Sequence, residues 1–348
     1  MEIQQNISLA PYTTLGIGGP ARWFTQAHSE ADVSAAVEFA REHGLPLFVL
    51  GGGSNLLVSD AGFPGCVVHI ALRGVQQQTD GEDVLFTAAA GEEWDAFVAA
   101  TVEQNCAGVE CLSGIPGTVG GTPVQNVGAY GQEVSATIAN VRALDRTSLR
   151  WVEFNNAECQ FAYRSSRFNT TERERYMVTS VTYRLRRDSE PLLAYKDLAQ
   201  YFAGHAERPT LAAVRAAVRT IRQRKGMLLT PDDPDCHSAG SFFKNPVIAA
   251  EQAEQLSKRY ATMPHFTAGA GWVKIPAAWL IEQAGFAKGT ALGAAGISSK
   301  HTLALVNRGG ATAAAMLALR DAICARVAEQ FGIALEQEPV YVGAESSA

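Results

Sequence analysis

The sequence predicts an α+β chain of two or three domains, and three observations carry that reading. At 348 residues the chain is longer than one hydrophobic core usually supports. Apolar residues recur at helical spacing in some segments and form short extended runs in others, and the two patterns are mixed along the whole length. Among them lies the stretch 114–131, GIPGTVGGTPVQNVGAYG, whose six glycines and two prolines fit neither an ordinary helix nor a strand.

The elements follow in order. Ser29 and Asp32 form a capping box, after which Val33, Ala36, Val37 and Ala40 recur at helical spacing until Gly44 stops the helix. A buried strand over 45–50 runs directly into the glycine turn 51–55. Extended segments are expected over 66–72, 84–90, 138–144 and 177–185, with a helix over 94–103. A second helical pattern starts at the cap Thr210 and continues through Leu211, Val214, Val218 and Ile221. The Pro- and Asp-rich stretch 230–236 reads as an exposed connection. Helices are then expected near 250–260, 277–284 and 311–331, and a closing strand over 333–342. No internal repeat is evident.

The run 114–131 has its own chemistry. Glycine permits positive φ and close backbone approach, and successive exposed amides make a concavity suited to phosphate oxygens. Thr118, Thr122, Gln125 and Asn126 add short polar groups, while Ile115, Val119, Val124 and Val127 supply apolar anchors. Two readings stay open from these residues alone, a ligand cradle and a tight structural crossover.

Composition bounds the class. Hydrophobic residues at 47% and charged residues at 18% are globular values, and the net charge of −6 argues against a nucleic-acid or anionic-membrane partner. The basic cluster Arg219, Arg222, Arg224 and Lys225 therefore needs a local explanation. Six cysteines without a C-x-x-C pair suit reduced thiols in a cytoplasmic protein. The first residues lack a signal pattern, and no segment is apolar for long enough to span a bilayer.

Several motif readings fail. Gly16-Ile-Gly18-Gly-Pro-Ala21 matches a dinucleotide fingerprint in letters, but no apolar strand precedes it and Pro20 stands where a helix should begin. The Walker pattern and the G-x-S-x-G elbow are absent. Cys236-His237 has no second pair at zinc spacing, so no metal is expected. Two other clusters look chemical. In Ala239-Gly-Ser-Phe-Phe-Lys-Asn-Pro246, Ser241 could sit in a tight turn with Lys244 and Asn245 in reach of a ligand, although on these residues alone a Phe-anchored loop whose serine caps the backbone is the better reading. In Phe161-Ala-Tyr-Arg-Ser-Ser-Arg-Phe168, Arg164 and Arg167 have aromatic neighbours and could grip a carboxylate or serve as surface ion pairs. Glu338, in the expected closing strand, needs a partner or a proton.

The order and wording of these segments resemble one family over nearly the whole chain, UDP-N-acetylenolpyruvoylglucosamine reductase, the flavoenzyme MurB. The resemblance rests on Thr13-Thr-Leu-Gly-Ile-Gly18, Leu50-Gly-Gly-Gly-Ser-Asn55, the run Ile115 to Gly131, Tyr163-Arg164, the segment Ala239 to Pro246, and Leu335-Glu-Gln-Glu338. It implies a flavin-binding fold of the vanillyl-alcohol-oxidase/MurB type with a C-terminal α+β substrate domain. The implied division is 1–68 and 69–229 for FAD, 230–332 for substrate, and a strand within 333–348 returning to the flavin side.

The implied reaction uses FAD as cofactor and NADPH as co-substrate to reduce the enolpyruvyl group of a nucleotide sugar, giving UDP-N-acetylmuramate. Arg164 would pair with the substrate carboxylate, Glu338 would polarise it, and Ser241 would protonate the α-carbon. Gly51, Gly52, Gly53, Ser54, Asn55, Ile115, Pro116, Gly117, Gly121, Thr122, Asn126 and Ala129 would hold the cofactor. Tyr195, in a segment like the type I insertion, would cover the substrate, with Lys225, Lys244 and Asn245 as further contacts. A cytoplasmic monomer is expected. Three departures stand out: a longer segment between Lys225 and Ser241, Phe266 where relatives often carry tyrosine, and Pro339 directly after Glu338, which leaves Glu336 as a lesser claimant to the acid role. An FAD oxidase of the same fold and a non-enzymatic nucleotide-sugar binder are the rival readings.

Overall fold

The computed structural model describes residues 1–205, 207–230 and 233–343. The chain forms two compact units, and each is woven from separated segments. The first comprises Met1–Ile7, Ala21–Gly53 and Phe63–Arg224; the second comprises Ser8–Pro20, Ser54–Gly62 and the chain from Lys225.

Among the described residues the first unit contains two larger sheets and a two-residue ladder, Gly128–Ala129 with Gln132–Glu133. In the smaller of the two sheets, the strand order is Gln4–Ser8, Pro20–Ala27, Phe63–Ile70, Leu47–Leu50, and Phe63–Ile70 pairs in parallel with both of its neighbours. Parallel neighbours need a crossover. The helix Glu30–Glu42 carries the chain from Pro20–Ala27 across to Leu47–Leu50 on the other side of Phe63–Ile70, starting in the expected capping box: the Ser29 hydroxyl accepts the Asp32 N–H and the Asp32 carboxylate accepts the Ser29 N–H. Val33, Ala36, Val37 and Ala40 are its buried stripe. The larger sheet is antiparallel, running Arg150–Asn155, Ile138–Asp145, Tyr176–Arg187, Asp83–Ala89, Val75–Asp80. The helix Trp94–Glu103 packs on it, with Phe97 between Phe86 and Tyr183 at ring separations of 6.2 and 5.0 Å. The buried Trp94 indole donates to the Leu112 carbonyl at 3.0 Å, as a buried ring N–H must.

In the second unit the parallel strands Leu56–Val58 and Val340–Val342 form one pair. Two small antiparallel sheets stand beside the helices Ala250–Arg259, Ala277–Gln283 and Ala313–Phe331. The last helix is capped by Thr312, and the Asp60 carboxylate accepts the N–H groups of Ala313 and Ala314 at 2.7 and 2.9 Å. A negative charge there also complements the helix dipole.

Two expectations need correction. Strand structure at the end of the chain covers only Val340–Val342, not 333–342. Pro339 has no N–H to give to a ladder, and residues 336–338 pair instead with 242–244. The strand Pro20–Ala27 was not expected at all. The Gly-Gly-Pro sequence before it reads as a turn, yet proline is tolerated as the first residue of a strand. No helix among the described residues is long and apolar enough to cross a membrane.

Removing the cap with Ser29→Ala should lower stability by about 1 kcal/mol, read as a lower urea midpoint with an unchanged slope.

Candidate functional site

Two glycine loops meet within the first unit. The strand Leu47–Leu50 delivers Gly51, Gly52 and Gly53, and a Cβ placed on Gly52 would lie 2.5 Å from the Gly117 Cα. No side chain fits at that approach. A Cβ on Gly51 would stand 3.0 Å from the Thr118 hydroxyl, and Gly53 and Gly117 take φ of +62° and +122°. The second loop is pinned by backbone hydrogen bonds. The Trp94 N–H donates to Gly117 O, Val119 N–H to Glu92 O and Gly120 N–H to Ala90 O, at 3.0, 2.9 and 2.8 Å.

Inside this cradle the Thr118 hydroxyl is buried without a hydrogen-bonding partner among the described residues. A buried, unpaired hydroxyl is costly, and it lies beside backbone that only glycine permits. Both features fit an anionic group such as the diphosphate of FAD. Ile115 and Pro116 are half-buried on the loop, while a Cβ on Gly121 would meet nothing. Thr122 and Asn126 turn inward. The Thr122 hydroxyl bonds Val119 O and the Tyr183 hydroxyl. Asn126, at φ +44°, donates to Ala162 O and Glu133 and accepts the Ser135 N–H. Both side chains thereby hold the shape of the loop, and Ala129 pairs with Gln132 across a two-residue ladder.

Arg164 stands near the end of that run. Its Nη2 donates to Gly128 O at 2.7 Å and its guanidinium lies 5.2 Å from the Tyr163 ring. The backbone there is left-handed, φ +54°, and the Asn169 amide holds the Arg164 carbonyl at 3.2 Å. Arg167 behaves differently: it pairs with Glu172 and lies 4.3 Å from the Phe154 ring, which makes it a structural member of the cluster. Tyr195 caps the helix Lys196–Tyr201, is 42% exposed, and packs edge-on against Tyr130 at 5.4 Å.

Ser241 and Glu338 belong to the second unit, where one short antiparallel ladder relates them. Phe243 bridges Gln337, the Glu338 N–H donates to Phe242 O and the Lys244 N–H to Glu336 O, each bond 2.9 Å. Ser241 is thus the residue next to the one opposite Glu338. Its hydroxyl has no hydrogen-bonding partner among the described residues. The same ladder reaches the first glycine turn: Asn55 donates to Glu338 O at 3.4 Å, and Asn55 O accepts the Val340 N–H at 2.9 Å. Thr14, in the motif 13–18, donates to Ser238 O at 2.6 Å and reaches Ser54 O at 3.5 Å. Sequence reasoning missed this bracket, and the adjacent threonines in that motif were the signal available.

Glu336 is exposed and ion-paired with Lys244. Asn245 accepts the Ala277 N–H at the start of the helix Ala277–Gln283, at 2.9 Å. Phe266 is 61% exposed. The stretch 230–236 is not the exposed connection expected, leaving aside residues 231 and 232, which lie outside the described residues. Asp235 is 3% exposed and accepts from the Ser298 hydroxyl, the Ser299 N–H and the Ser299 hydroxyl, at 3.0, 2.9 and 2.6 Å. Three donors to one carboxylate offset its desolvation. Gly226, directly after Lys225, packs against Ser298, Lys300 and Asp235. The Lys225 charge bears on the neighbouring His301.

Family models match two parts of the chain: an FAD binding domain over residues 21–148 and the UDP-N-acetylenolpyruvoylglucosamine reductase C-terminal domain over residues 230–342. A UDP-N-acetylenolpyruvoylglucosamine reductase of Thermobifida fusca is 47% identical over 97% of this chain and 98% of its own length. Another, from Streptomyces coelicolor, is 49% identical over 96% of this chain and 89% of its own. Among solved structures, UDP-N-acetylenolpyruvylglucosamine reductase of Thermus caldophilus superposes with a TM-score of 0.67 at 26% identity, covering 98% of this chain and 99% of that one.

His301 provides a pH test of the second unit. Burial, reinforced by the charges of Lys225 and Lys288, pushes its imidazole down to about 4, and its Nδ1 accepts the Leu303 N–H, which requires the neutral ring. An unfolded histidine binds its proton near 6.5. Stability from this residue is therefore complete above that pH and is lost as pH falls toward 4. Urea unfolding across that window should show a shallower decline for His301→Gln than for the unaltered protein.

Proposed function

The chain belongs to the UDP-N-acetylenolpyruvoylglucosamine reductase family, and from that premise we infer how its own residues divide the work of the reaction. The protein is an FAD-dependent oxidoreductase that uses NADPH to reduce the enolpyruvyl group of UDP-N-acetylglucosamine enolpyruvate, yielding UDP-N-acetylmuramate for peptidoglycan precursor synthesis. FAD, when bound, supplies the hydride relay from NADPH to the methylene carbon of the substrate. The backbone of Gly51, Gly52, Gly53, Ile115, Pro116, Gly117 and Gly121, the Thr118 hydroxyl, and Ser54 and Asn55 would hold it. Thr122, Asn126 and Ala129 would keep that loop in shape from behind.

The chemistry left to the protein is charge and one proton. Hydride addition at the β-carbon drives electrons through the α-carbon into the substrate carboxylate, so an enolate-like species must be stabilised. Arg164, docked on Gly128 O, would pair with that carboxylate. Glu338 would help polarise the same group, protonated or hydrogen-bonded there, since a second bare anion would repel it. Ser241 Oγ would give its proton to the α-carbon. The observation that carries this assignment is the ladder that sets Ser241 beside the Glu338 register while the serine hydroxyl has no hydrogen-bonding partner among the described residues. A hydroxyl tied into the turn would not be available as a donor.

Substrate contacts follow the same reasoning. Tyr195, exposed and braced on Tyr130, would close over the sugar nucleotide. Lys244 would exchange its exposed Glu336 partner for a phosphate, because such a surface pair is worth little. Asn245 keeps its amide nitrogen for a ligand while its oxygen caps a helix. Lys225 would add a further cation. The protein would work in the cytoplasm, where the reducing co-substrate is supplied, and as a monomer.

Ser241→Ala should retain yellow FAD and bleach with NADPH at the normal rate, then reoxidise on adding the enolpyruvyl substrate more slowly by roughly 10²- to 10⁴-fold. Stopped-flow absorbance separates the two half-reactions, and unchanged reoxidation would remove Ser241 from proton transfer.

A further inference from the structure

The basic helix Leu211–Arg224 turns three of its arginines toward the rest of its unit. Arg215, Arg219 and Arg222 stand four and three residues apart, which puts them on one face. Arg215 holds Asp95 through two hydrogen bonds of 2.6 and 3.1 Å, and Arg219 grips the same carboxylate. Asp95 in turn accepts the Gly114 N–H at 2.6 Å. Against the pull of burial, Arg215 and that N–H hold the Asp95 carboxyl below its usual range.

Arg222 completes the arrangement. It is 8% exposed, its Nε donates to Gly114 O at 3.0 Å, and its guanidinium also hydrogen-bonds the Tyr130 hydroxyl. Gly114 opens the glycine run and Tyr130 is its last residue but one, and both take left-handed backbone, φ +71° and +49°. Gly114 is therefore held through its N–H by Asp95 and through its C=O by Arg222, while the other arm of the same guanidinium holds the far end. Next to Tyr130 lie Gly128, whose carbonyl seats Arg164, and the ring against which Tyr195 packs. A desolvated guanidinium is expensive to bury unless its donors are used. Here they are spent on the ends of a loop. The planar fork suits two acceptors in fixed directions, and an ammonium does not.

We propose that Arg222 is a positioning residue for the flavin-binding loop: one buried guanidinium sets both ends of the run 114–131, and with them the seats of Arg164 and Tyr195. The proposal rests on the reading of that run as part of the FAD site. It gives Arg215, Arg219 and Arg222 a role unrelated to any anionic partner outside the protein.

The test is an FAD titration of flavin-free protein, followed by flavin fluorescence, with the melting temperature of the flavin-free form recorded alongside. Arg222→Lys keeps the charge and loses the two-armed hold; Tyr130→Phe keeps the arginine and loses one oxygen. Each variant should bind FAD roughly tenfold more weakly. The double variant should be no weaker than Arg222→Lys alone, because both substitutions cut the same arm. A merely structural arginine would instead lower the melting temperature, leave FAD affinity per folded molecule unchanged and combine additively, and that result overturns the proposal. If Arg222→Lys does not fold, Tyr130→Phe decides the matter, since unchanged affinity in that variant is equally fatal. Unaltered protein that binds no FAD at all would remove the flavin reading itself, and this proposal with it.

Discussion

The contact on which the first unit depends is the meeting of Gly52 with Gly117. A methyl group on Gly52 would come within 2.5 Å of the opposing Cα, so the two loops approach as bare backbone. That approach brings backbone from distant parts of the chain beside one buried hydroxyl, Thr118. Neither loop could do so alone. A single glycine turn offers a few amides to solvent, whereas two turns packed against each other can offer amides from both, and partly desolvated donors hold an anion more strongly than donors in water.

Around that contact the protein spends polar side chains on shape. Asn126, Thr122 and Glu110 are almost fully buried, and each closes hydrogen bonds between segments. Glu110 alone takes donors from Gly108, Gln132 and Leu192. Such networks cost desolvation and yield a unique geometry only when every member is satisfied. The second unit uses backbone for the same end. Residues 242–244 lie against 336–338, and Asn55 closes onto Glu338 and Val340, so the segments bearing Ser241, Glu338 and the end of the first glycine turn share one hydrogen-bonded frame. A frame of this kind limits relative drift of reacting groups, which is where much of the rate in a positioned proton transfer originates.

Local structure was largely legible in the sequence. The capping box at Ser29, the helix Trp94–Glu103, and the strands around Phe86, Val141 and Val181 follow from periodicity and capping, which depend on neighbours a few residues away. The failures share a cause. The strand Pro20–Ala27 hid behind a turn-like Gly-Gly-Pro, the closing strand was cut short by Pro339, and Asp235 was read as exposed because polar composition does not register three distant donors.

The site divides along the same line. The sequence by itself determined the residue types and their order: two glycine loops, an arginine beside a tyrosine, a serine after a glycine, an acid near the end, and the family they belong to. Only the tertiary structure decided that Gly52 faces Gly117, that 242–244 pairs with 336–338, and that Arg222 reaches both Gly114 and Tyr130. Glycine content and helical spacing report what a backbone permits. Which distant backbone it meets depends on packing and hydrogen-bond partners summed over the whole chain, and no short window of sequence contains that sum.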